Sequence, residues 1–370
     1  MPKEQKKKNH HYVPQFLLRR FGNDRSTNVL ILESGKFISN VGIKDQCSEN
    51  YFYGPDGKIE KGFEDLEGTA ATIIRKIEES GISSLAEDED MNLRSFITFQ
   101  MLRTLGQAEL SGQVMANSIF MAMEKDPNFS DLKNKYEIVF RNTQFMNLEL
   151  AISSLPLLLD LRVKLLIRDK GPDLVLSDNP VTRCNQWAQN HPKFSQYEGL
   201  TGLSSKGLQI FLPISKRTCL ALYDADTYEY GSPSKTDCRI SKTDVMQLNK
   251  LQTFNAVSCI YFEDENPQQR TCDELVGFKK QGVSDSKFNI SEGPVTPKGD
   301  GRMSQIVLVS PPNPRLDNKF SFAREIDHSK FVGYNKVILP VRSEELLKES
   351  QIVSETVQSM INKVSKGASP

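Results

Sequence analysis

The spacing of apolar residues changes along the first half of the chain. Two short runs, residues 29–33 and 36–41, flank a Ser-Gly pair and predict a β-hairpin. From residue 59 apolar residues recur at helical spacing, which predicts a helix over residues 59–80. The composition of the next segments predicts a long helix over residues 90–125 and another over residues 130–154.

Strand spacing returns after this helical section. The predicted strands of the second half cover residues 157–167, 174–177, 209–212, 218–223 and 257–262. One helix is predicted among them, and residues 182–206 have the composition of an inserted loop. The fold class is therefore α+β, with N-terminal hairpin strands, a central section of about three helices, a strand-rich part and a C-terminal α/β appendage.

Shorter elements complete this pattern. Pro14 is well placed to start a short helix, and the aromatic residues after Asn50 predict a third N-terminal strand. Near the C-terminus, the predicted elements are strands over residues 305–309, 319–323 and 336–339 and a helix from residue 343.

A shift in composition predicts how the chain divides. Residues 264–303 are rich in Gly, Pro, Ser and Lys and predict a polar linker or long loop. We therefore expect a core domain over residues 1–263 and a strand and helix appendage over residues 304–370.

Charge and apolar content narrow the class of protein. The 47 basic and 47 acidic residues cancel, so the composition encodes no global attraction to nucleic acid or anionic lipid. No apolar run resembles a signal peptide or reaches the length of a membrane span. The six cysteines are scattered, without metal-knuckle spacing, which favours reduced thiols. We expect a cytoplasmic protein without a membrane partner.

An acidic stripe on the first long helix is a candidate metal site. Glu60, Glu64 and Glu67 fall within about 60° of one another at helical spacing. Carboxylates at the edge of an apolar face can bind Mg²⁺ or Mn²⁺. The alternative is a solvated helix edge.

A polar stripe on the second long helix is the next candidate. Gln100, Arg103 and Gln107 share one face of a helix that is otherwise mostly apolar. Arg103 can bind a phosphate or carboxylate of a ligand in bidentate fashion. It can equally form a structural ion pair with Glu64 or Glu67, and the sequence leaves both readings open.

Two further stretches combine polar residues with a fixed backbone. Asp178 and Asn179 follow a predicted strand, where a carboxylate can serve as metal ligand or general base, or can simply accept backbone N–H groups in a turn. His11 precedes Pro14 and can bind metal or move protons, or can be a hydrogen-bonded packing residue.

These stretches together resemble a known family. The opening residues 11–21, HYVPQFLLRRF, and the later residues 177–181, SDNPV, resemble the bacterial domain-of-unknown-function family 4238. The resemblance continues through ENYFY at 49–53, FLPIS at 211–215 and LNKLQ at 248–252, and spans about residues 10–262. Its matching positions also include Glu60, Glu64, Leu66, Glu67, Gln100 and Arg103. The family implies no established activity, but a set of shared polar residues suggests that they converge on one site.

The leading hypothesis is a metal-assisted hydrolase, most plausibly a nuclease acting on phosphodiesters, and the bacterial setting suggests a defence or toxin-type effector. Glu64, Glu67 and Asp178 would bind Mg²⁺ or Mn²⁺. The expected catalytic residues are His11, Arg103 and Asp178, and the expected substrate-binding residues are Arg19, Arg20, Gln100 and Asn179.

The alternative is a non-enzymatic binding or regulatory module in which the same residues form a structural salt-bridge network. The candidate partners are nucleic acid for the first hypothesis and a protein bound by the C-terminal segment for the second.

Overall fold

A computed structural model describes most of the chain. The described residues are 8–124, 143–192, 194, 200–265, 267–284, 289–297, 303–310, 319–326 and 340–367. They have the α+β architecture that the sequence predicts, with N-terminal strands, a helical section and a strand-rich part. None of the helices among these residues is long and apolar enough to cross a membrane.

The N-terminal part contains the predicted hairpin. Its elements are β1 (Asn9–His11), α1 (Gln15–Arg19), β2 (Ser26–Ile31), β3 (Lys36–Gly42) and β4 (Ser48–Asn50). β2 and β3 pair antiparallel as the hairpin, and β1 pairs antiparallel with β4. The prediction of a strand after Asn50 was wrong, because Tyr51 has a φ of 56° and turns the chain there.

The described residues of the middle section form four helices. They are α2 (Lys58–Ser80), α3 (Glu87–Leu102), α4 (Leu105–Glu124) and α5 (Thr143–Ser154). α2 confirms the prediction from its apolar spacing. Residues 125–142 of the predicted helix over 130–154 lie outside the described residues.

The single helix predicted over residues 90–125 was wrong. Arg103 leaves helical geometry at φ −92° and ψ 2°, and α4 begins two residues later. The Thr104 hydroxyl accepts the N–H of Gln107 at 3.3 Å and donates to the Asn179 side chain at 2.8 Å. A tertiary contact with a distant turn therefore accompanies the break, and helix propensity carries no information about such a contact.

The strand-rich part follows in alternating short elements. Their bounds are β5 (Arg162–Arg168), β6 (Leu176–Ser177), β7 (Thr182–Cys184), α6 (Gln186–Asn190), β8 (Gln209–Pro213), β9 (Thr218–Tyr223), β10 (Tyr228–Tyr230), β11 (Asp237–Ile240), α7 (Lys242–Asn255) and β12 (Cys259–Phe262). The predicted strands at β8 and β9 and the predicted helix at α7 are confirmed. The predicted loop over residues 182–206 instead contains β7 and α6.

Two larger sheets organise these strands. One has the order β11-β5-β9-β8-β7, with β11 and β5 parallel and the other pairs antiparallel. The other has the order β3-β2-β12-β6 and is antiparallel throughout. Because β12 pairs with both β2 and β6, strands from three distant parts of the sequence meet at the centre of the second sheet.

The C-terminal part adds α8 (Gln269–Ser284), β13 (Asn289–Pro297), β14 (Met303–Ser310), β15 (Ala323–Glu325) and α9 (Glu344–Gly367). The segment 264–303, predicted as a polar linker or long loop, thus contains a helix and a strand. The strand predicted over residues 319–323 begins only at Ala323, and the one predicted over 336–339 lies outside the described residues. The division into a core and an appendage stays a prediction.

Buried apolar side chains join these elements. One cluster combines Leu17 and Phe21 of the opening stretch with α2, α3 and the inner face of the five-stranded sheet. A second cluster lies on the other face of that sheet and includes Phe320 and Phe322 from the segment before β15. Burial of this apolar surface is the main driving force for folding.

Candidate functional site

Both opening histidines lie in β1 and are buried. His10 accepts a hydrogen bond at Nδ1 from the backbone N–H of Tyr53, 3.1 Å away, and the two rings stack. His11 Nε2 lies 3.1 Å from the carbonyl oxygen of Lys44 and 3.2 Å from the side-chain nitrogen of Gln15. These contacts fit the packing alternative that the sequence left open for His11.

The two arginines of the opening stretch differ in their surroundings. Arg19 is exposed and donates to the side-chain oxygen of Gln15 at 2.9 Å. Arg20 pairs with Glu78 of α2 and donates to the carbonyl oxygen of Ile214, just after β8. Arg20 therefore connects α1 to a helix and to a strand end, whereas Arg19 interacts only locally.

Arg103 is the centre of a buried polar network. Its guanidinium pairs with Glu67 at 2.8 Å and donates twice to the Gln100 side-chain oxygen, at 2.9 and 2.8 Å. It also lies 4.4 Å above the ring centroid of Phe63, and only 1% of the side chain is exposed. The Gln100 amide in turn donates to the carbonyl oxygen of Tyr12 at 3.0 Å.

We call Glu67, Gln100 and Arg103 the arginine network. It joins α2, the end of α3 and the opening stretch. Of the two readings that the sequence left open for Arg103, the structure contains the ion pair with Glu67. Glu64, the other predicted partner, is exposed on α2.

Asp178 is buried at the end of β6 and accepts three backbone N–H groups. One carboxylate oxygen accepts from Val257 at 2.8 Å, and the other accepts from Ser258 at 2.7 Å and Cys259 at 3.0 Å. Burial raises the pKa of Asp178, and the three N–H groups oppose that rise. These bonds hold the chain just before β12, as expected for the turn reading of this residue.

Asn179 ties the same turn to the break between α3 and α4. Its side-chain oxygen accepts from the Thr104 hydroxyl, and its amide donates to the carbonyl oxygen of Asn255 at 3.2 Å. The Asn255 amide donates back to the carbonyl oxygen of Asn179 at 2.6 Å. The side chains of Asp178 and Asn179 therefore both connect this turn to distant parts of the chain.

The predicted metal ligands do not meet. Among the described residues, no three His, Cys, Asp or Glu side chains form a group that could bind a metal ion, and Glu64, Glu67 and Asp178 are all described. The roles predicted for these side chains individually stay predictions.

Tyr12 lies between the arginine network and the turn at Asp178. Its carbonyl oxygen accepts from Gln100 of the arginine network. Burial raises the pKa of its phenol, and the nearby Cys47 and Asp178 raise it further. The opening stretch, the arginine network and the turn at Asp178 are thus neighbours in space.

A cavity of about 410 Å³ lies on the outer side of this turn. Its walls come from the start of α4, the turn at Asn179, β7, the end of α7 and α8. The residues that line it are Gly106, Gln107, Glu109, Leu110, Gln113, Asn179, Thr182, Arg183, Thr201, Leu251, Phe254, Asn255, Ala256, Val257 and Lys279. Asn179 is the one predicted site residue in this wall.

Three ionisable side chains line the cavity. Burial lowers the pKa of Arg183 to about 10, and burial also lowers the pKa of Lys279. Glu109 is exposed, and its pKa is raised by partial burial and by the charges of Asp178 and Glu49. The cavity wall thus has two cations and one carboxylate.

Sequence reasoning missed these three residues. A signal for Lys279 exists, because Cys272, Leu275 and Val276 precede it at helical spacing and place it on the same face of α8. Arg183 lies between the buried residues Thr182 and Cys184 of β7, and the sequence gives no sign of that burial. Glu109 carries no such pattern.

Searches of curated proteins and of solved structures return no match to this chain. A family model described as "Protein of unknown function (DUF4238)" matches residues 9–266. This range includes the opening stretch, the arginine network, the turn at Asp178 and Asn179, and all the strands of the two larger sheets. The chain belongs to this family, domain of unknown function 4238.

Proposed function

We propose that this domain is a non-enzymatic binding or regulatory module in which the shared polar residues form a structural network. The observation that carries the proposal is the arginine network. The guanidinium of Arg103 is buried against Glu67, Gln100 and the Phe63 ring, where Nε and Nη2 donate to the two polar side chains and Nη1 has no hydrogen-bond partner among the described residues. A buried charge that is paired in this way stabilises one arrangement of the helices around it.

The bonds of Asp178 support the same proposal. A carboxylate that accepts three backbone N–H groups has most of its hydrogen-bonding capacity committed to the fold. The cytoplasmic location and the protein partner expected for the C-terminal segment belong to this proposal.

Thermal unfolding with divalent cations tests the proposal. A ligand that binds the native state raises the unfolding midpoint. We expect Mg²⁺, Mn²⁺ and EDTA to leave the midpoint unchanged, because Glu67 and Asp178 are bonded within the fold. A rise with Mn²⁺ that disappears in Glu67→Gln would contradict the proposal.

The metal-assisted hydrolase remains a second proposal, with a changed set of acidic residues. Its support is that the Glu109 carboxylate shares the cavity wall with two cations, Arg183 and Lys279, which could hold the phosphate oxygens of a phosphodiester. A divalent cation held by Glu109 together with the phosphate oxygens of the substrate could activate water toward the phosphodiester. The nuclease and the defence or toxin-type role belong to this proposal.

Its test is nuclease activity of the purified protein with Mg²⁺ or Mn²⁺ and with EDTA. Glu109→Gln is the site variant, and Glu64→Gln, an exposed carboxylate on α2, is the matched control. Activity that requires a metal and is lost only in Glu109→Gln would favour this proposal over the first.

A further inference from the structure

Arg183 brings a positive charge to the cavity wall and does not pair with Glu109, the carboxylate in the same wall. Within the described residues its guanidinium makes one hydrogen bond, to the carbonyl oxygen of Thr201 at 3.2 Å, and no ion pair. Other half-buried arginines in the protein, such as Arg20 and Arg168, pair with carboxylates. A guanidinium has five N–H donors, so Arg183 retains donors for a ligand in the cavity.

Lys279 contributes a second positive charge from α8. Its ammonium donates to the carbonyl oxygens of Phe254 and Ala256, which fixes it at the end of α7. These acceptors are neutral, so they orient the ammonium and leave its charge in place. The Asp178 carboxylate interacts electrostatically with this ammonium, but its oxygens already accept backbone N–H groups.

The start of α4 is a third feature of the cavity wall that favours an anion. Gly106 and Gln107, in the first turn of this helix, line the cavity. The Thr104 hydroxyl accepts the N–H of Gln107, so this helix end contributes chiefly through the helix dipole, which makes it positive. A Cβ at Gly106 would lie 2.6 Å from the side chain of Val257, so glycine allows this backbone to approach the cavity wall closely.

We propose that this cavity binds the oxyanion group of a small molecule, with Arg183 as its main ligand and Lys279 and the first turn of α4 as further positive groups. The inference rests on the proposed binding function and names the class of ligand. The volume of about 410 Å³ exceeds that of a lone phosphate or carboxylate, so the group is carried by a small organic body. The apolar wall residues Leu110, Leu251 and Phe254 are available to contact that body.

Glu109 gives the site a residue of opposite sign. Its carboxylate repels an anion, and Glu109→Gln removes this charge with little change in size. Arg183→Met removes the guanidinium and keeps an extended side chain. The two variants therefore have opposite expected effects on the binding of one ligand.

The experiment is a titration of the full chain, followed by its thermal unfolding midpoint. The probes are inorganic phosphate, acetate and adenosine monophosphate, each compared with sodium chloride at the same ionic strength. We expect at least one oxyanion to raise the midpoint beyond the effect of chloride. Phosphate and acetate distinguish the two kinds of oxyanion, and the nucleotide tests the organic body.

In Arg183→Met we expect the apparent affinity to fall at least about tenfold, since a hydrogen bond to a charged group contributes that much. Glu109→Gln should bind more tightly than the wild type. A urea unfolding midpoint without ligand checks that each variant is folded, and Arg183→Lys replaces Arg183→Met if that variant fails to fold.

Two results would overturn the inference. One is that none of the three oxyanions raises the wild-type midpoint beyond chloride. The other is an equal rise in the wild type and the Arg183 variant. Neither result bears on the arginine network, because Arg183 is not part of it. The proposed function is tested separately, by thermal unfolding with divalent cations.

Discussion

Replacement of Arg103 by methionine removes the centre of the arginine network and keeps most of the side-chain volume. The Gln100 oxygen then loses both of its side-chain donors in a position that is fully buried. An unsatisfied buried acceptor costs about 1–3 kcal/mol. The variant also loses the contact of the cation with the Phe63 ring, which contributes about 0.5–2 kcal/mol.

In this variant Glu67 also loses its ion pair with Arg103, which lowers the stability further. Removal of one member of a buried ion pair costs about 3–5 kcal/mol when the other charge is trapped. The Glu67 side chain is 22% exposed and can turn toward water, so its own contribution is at the lower end. Because these effects overlap, we expect Arg103→Met to lower the free energy of unfolding by about 3–4 kcal/mol in total.

The assay is urea unfolding at pH 7, followed by far-ultraviolet circular dichroism. Lys76→Met is the matched control, because Lys76 and Glu89 form an ion pair that also joins α2 to α3 but is more exposed, with 38% of the Lys76 side chain accessible. That variant should lose less than about 1 kcal/mol. If Arg103→Met loses no more than the control, the structural reading of the network is refuted.

Three further variants test other parts of the account. Asp178→Asn should lower the free energy of unfolding by about 2–3 kcal/mol, because the amide NH₂ cannot accept the N–H groups bound by one carboxylate oxygen, and urea unfolding measures the loss. Arg20→Ala should destabilise by about 1 kcal/mol and Arg19→Ala by less than about 0.5 kcal/mol in the same assay, since only Arg20 connects distant elements. Glu109→Gln should change the pH dependence of the melting temperature. The pKa of Glu109 is raised above 4.5 in the folded state, so the folded state binds more protons and ionisation of Glu109 destabilises it as pH rises. Glu109→Gln should therefore melt above the wild type at pH 7 and match it below pH about 4, and an equal difference at both pH values would contradict the sign of the shift.

Local pattern was sufficient to predict the elements whose residues alternate or repeat regularly. The hairpin of β2 and β3 and the helix α2 were predicted from the spacing of their apolar residues, and β8 and β9 were predicted from short apolar runs that are buried on both faces of the sheet. The break after α3 could not be predicted in this way. It coincides with the hydrogen bond between Thr104 and Asn179, which joins residues 75 positions apart.

The same distinction holds for the candidate site. The sequence identified Arg103 and Glu67 as possible partners because both lie on predicted helix faces. It could not choose between a ligand and an ion pair, since that choice depends on how α2 and α3 pack. Arg183 and Lys279 were missed because a cavity wall built from five separate segments has no signature in any one of them.

We propose that the arginine network supports the fold and that the neighbouring cavity binds the ligand. The most direct test is the oxyanion-induced rise in unfolding midpoint, measured in parallel for Arg103→Met and Arg183→Met. We expect Arg103→Met to be less stable than the wild type but to keep the rise, and Arg183→Met to be about as stable as the wild type but to lose the rise. The reverse pattern, with the rise lost in Arg103→Met and kept in Arg183→Met, would show that both roles are wrongly assigned.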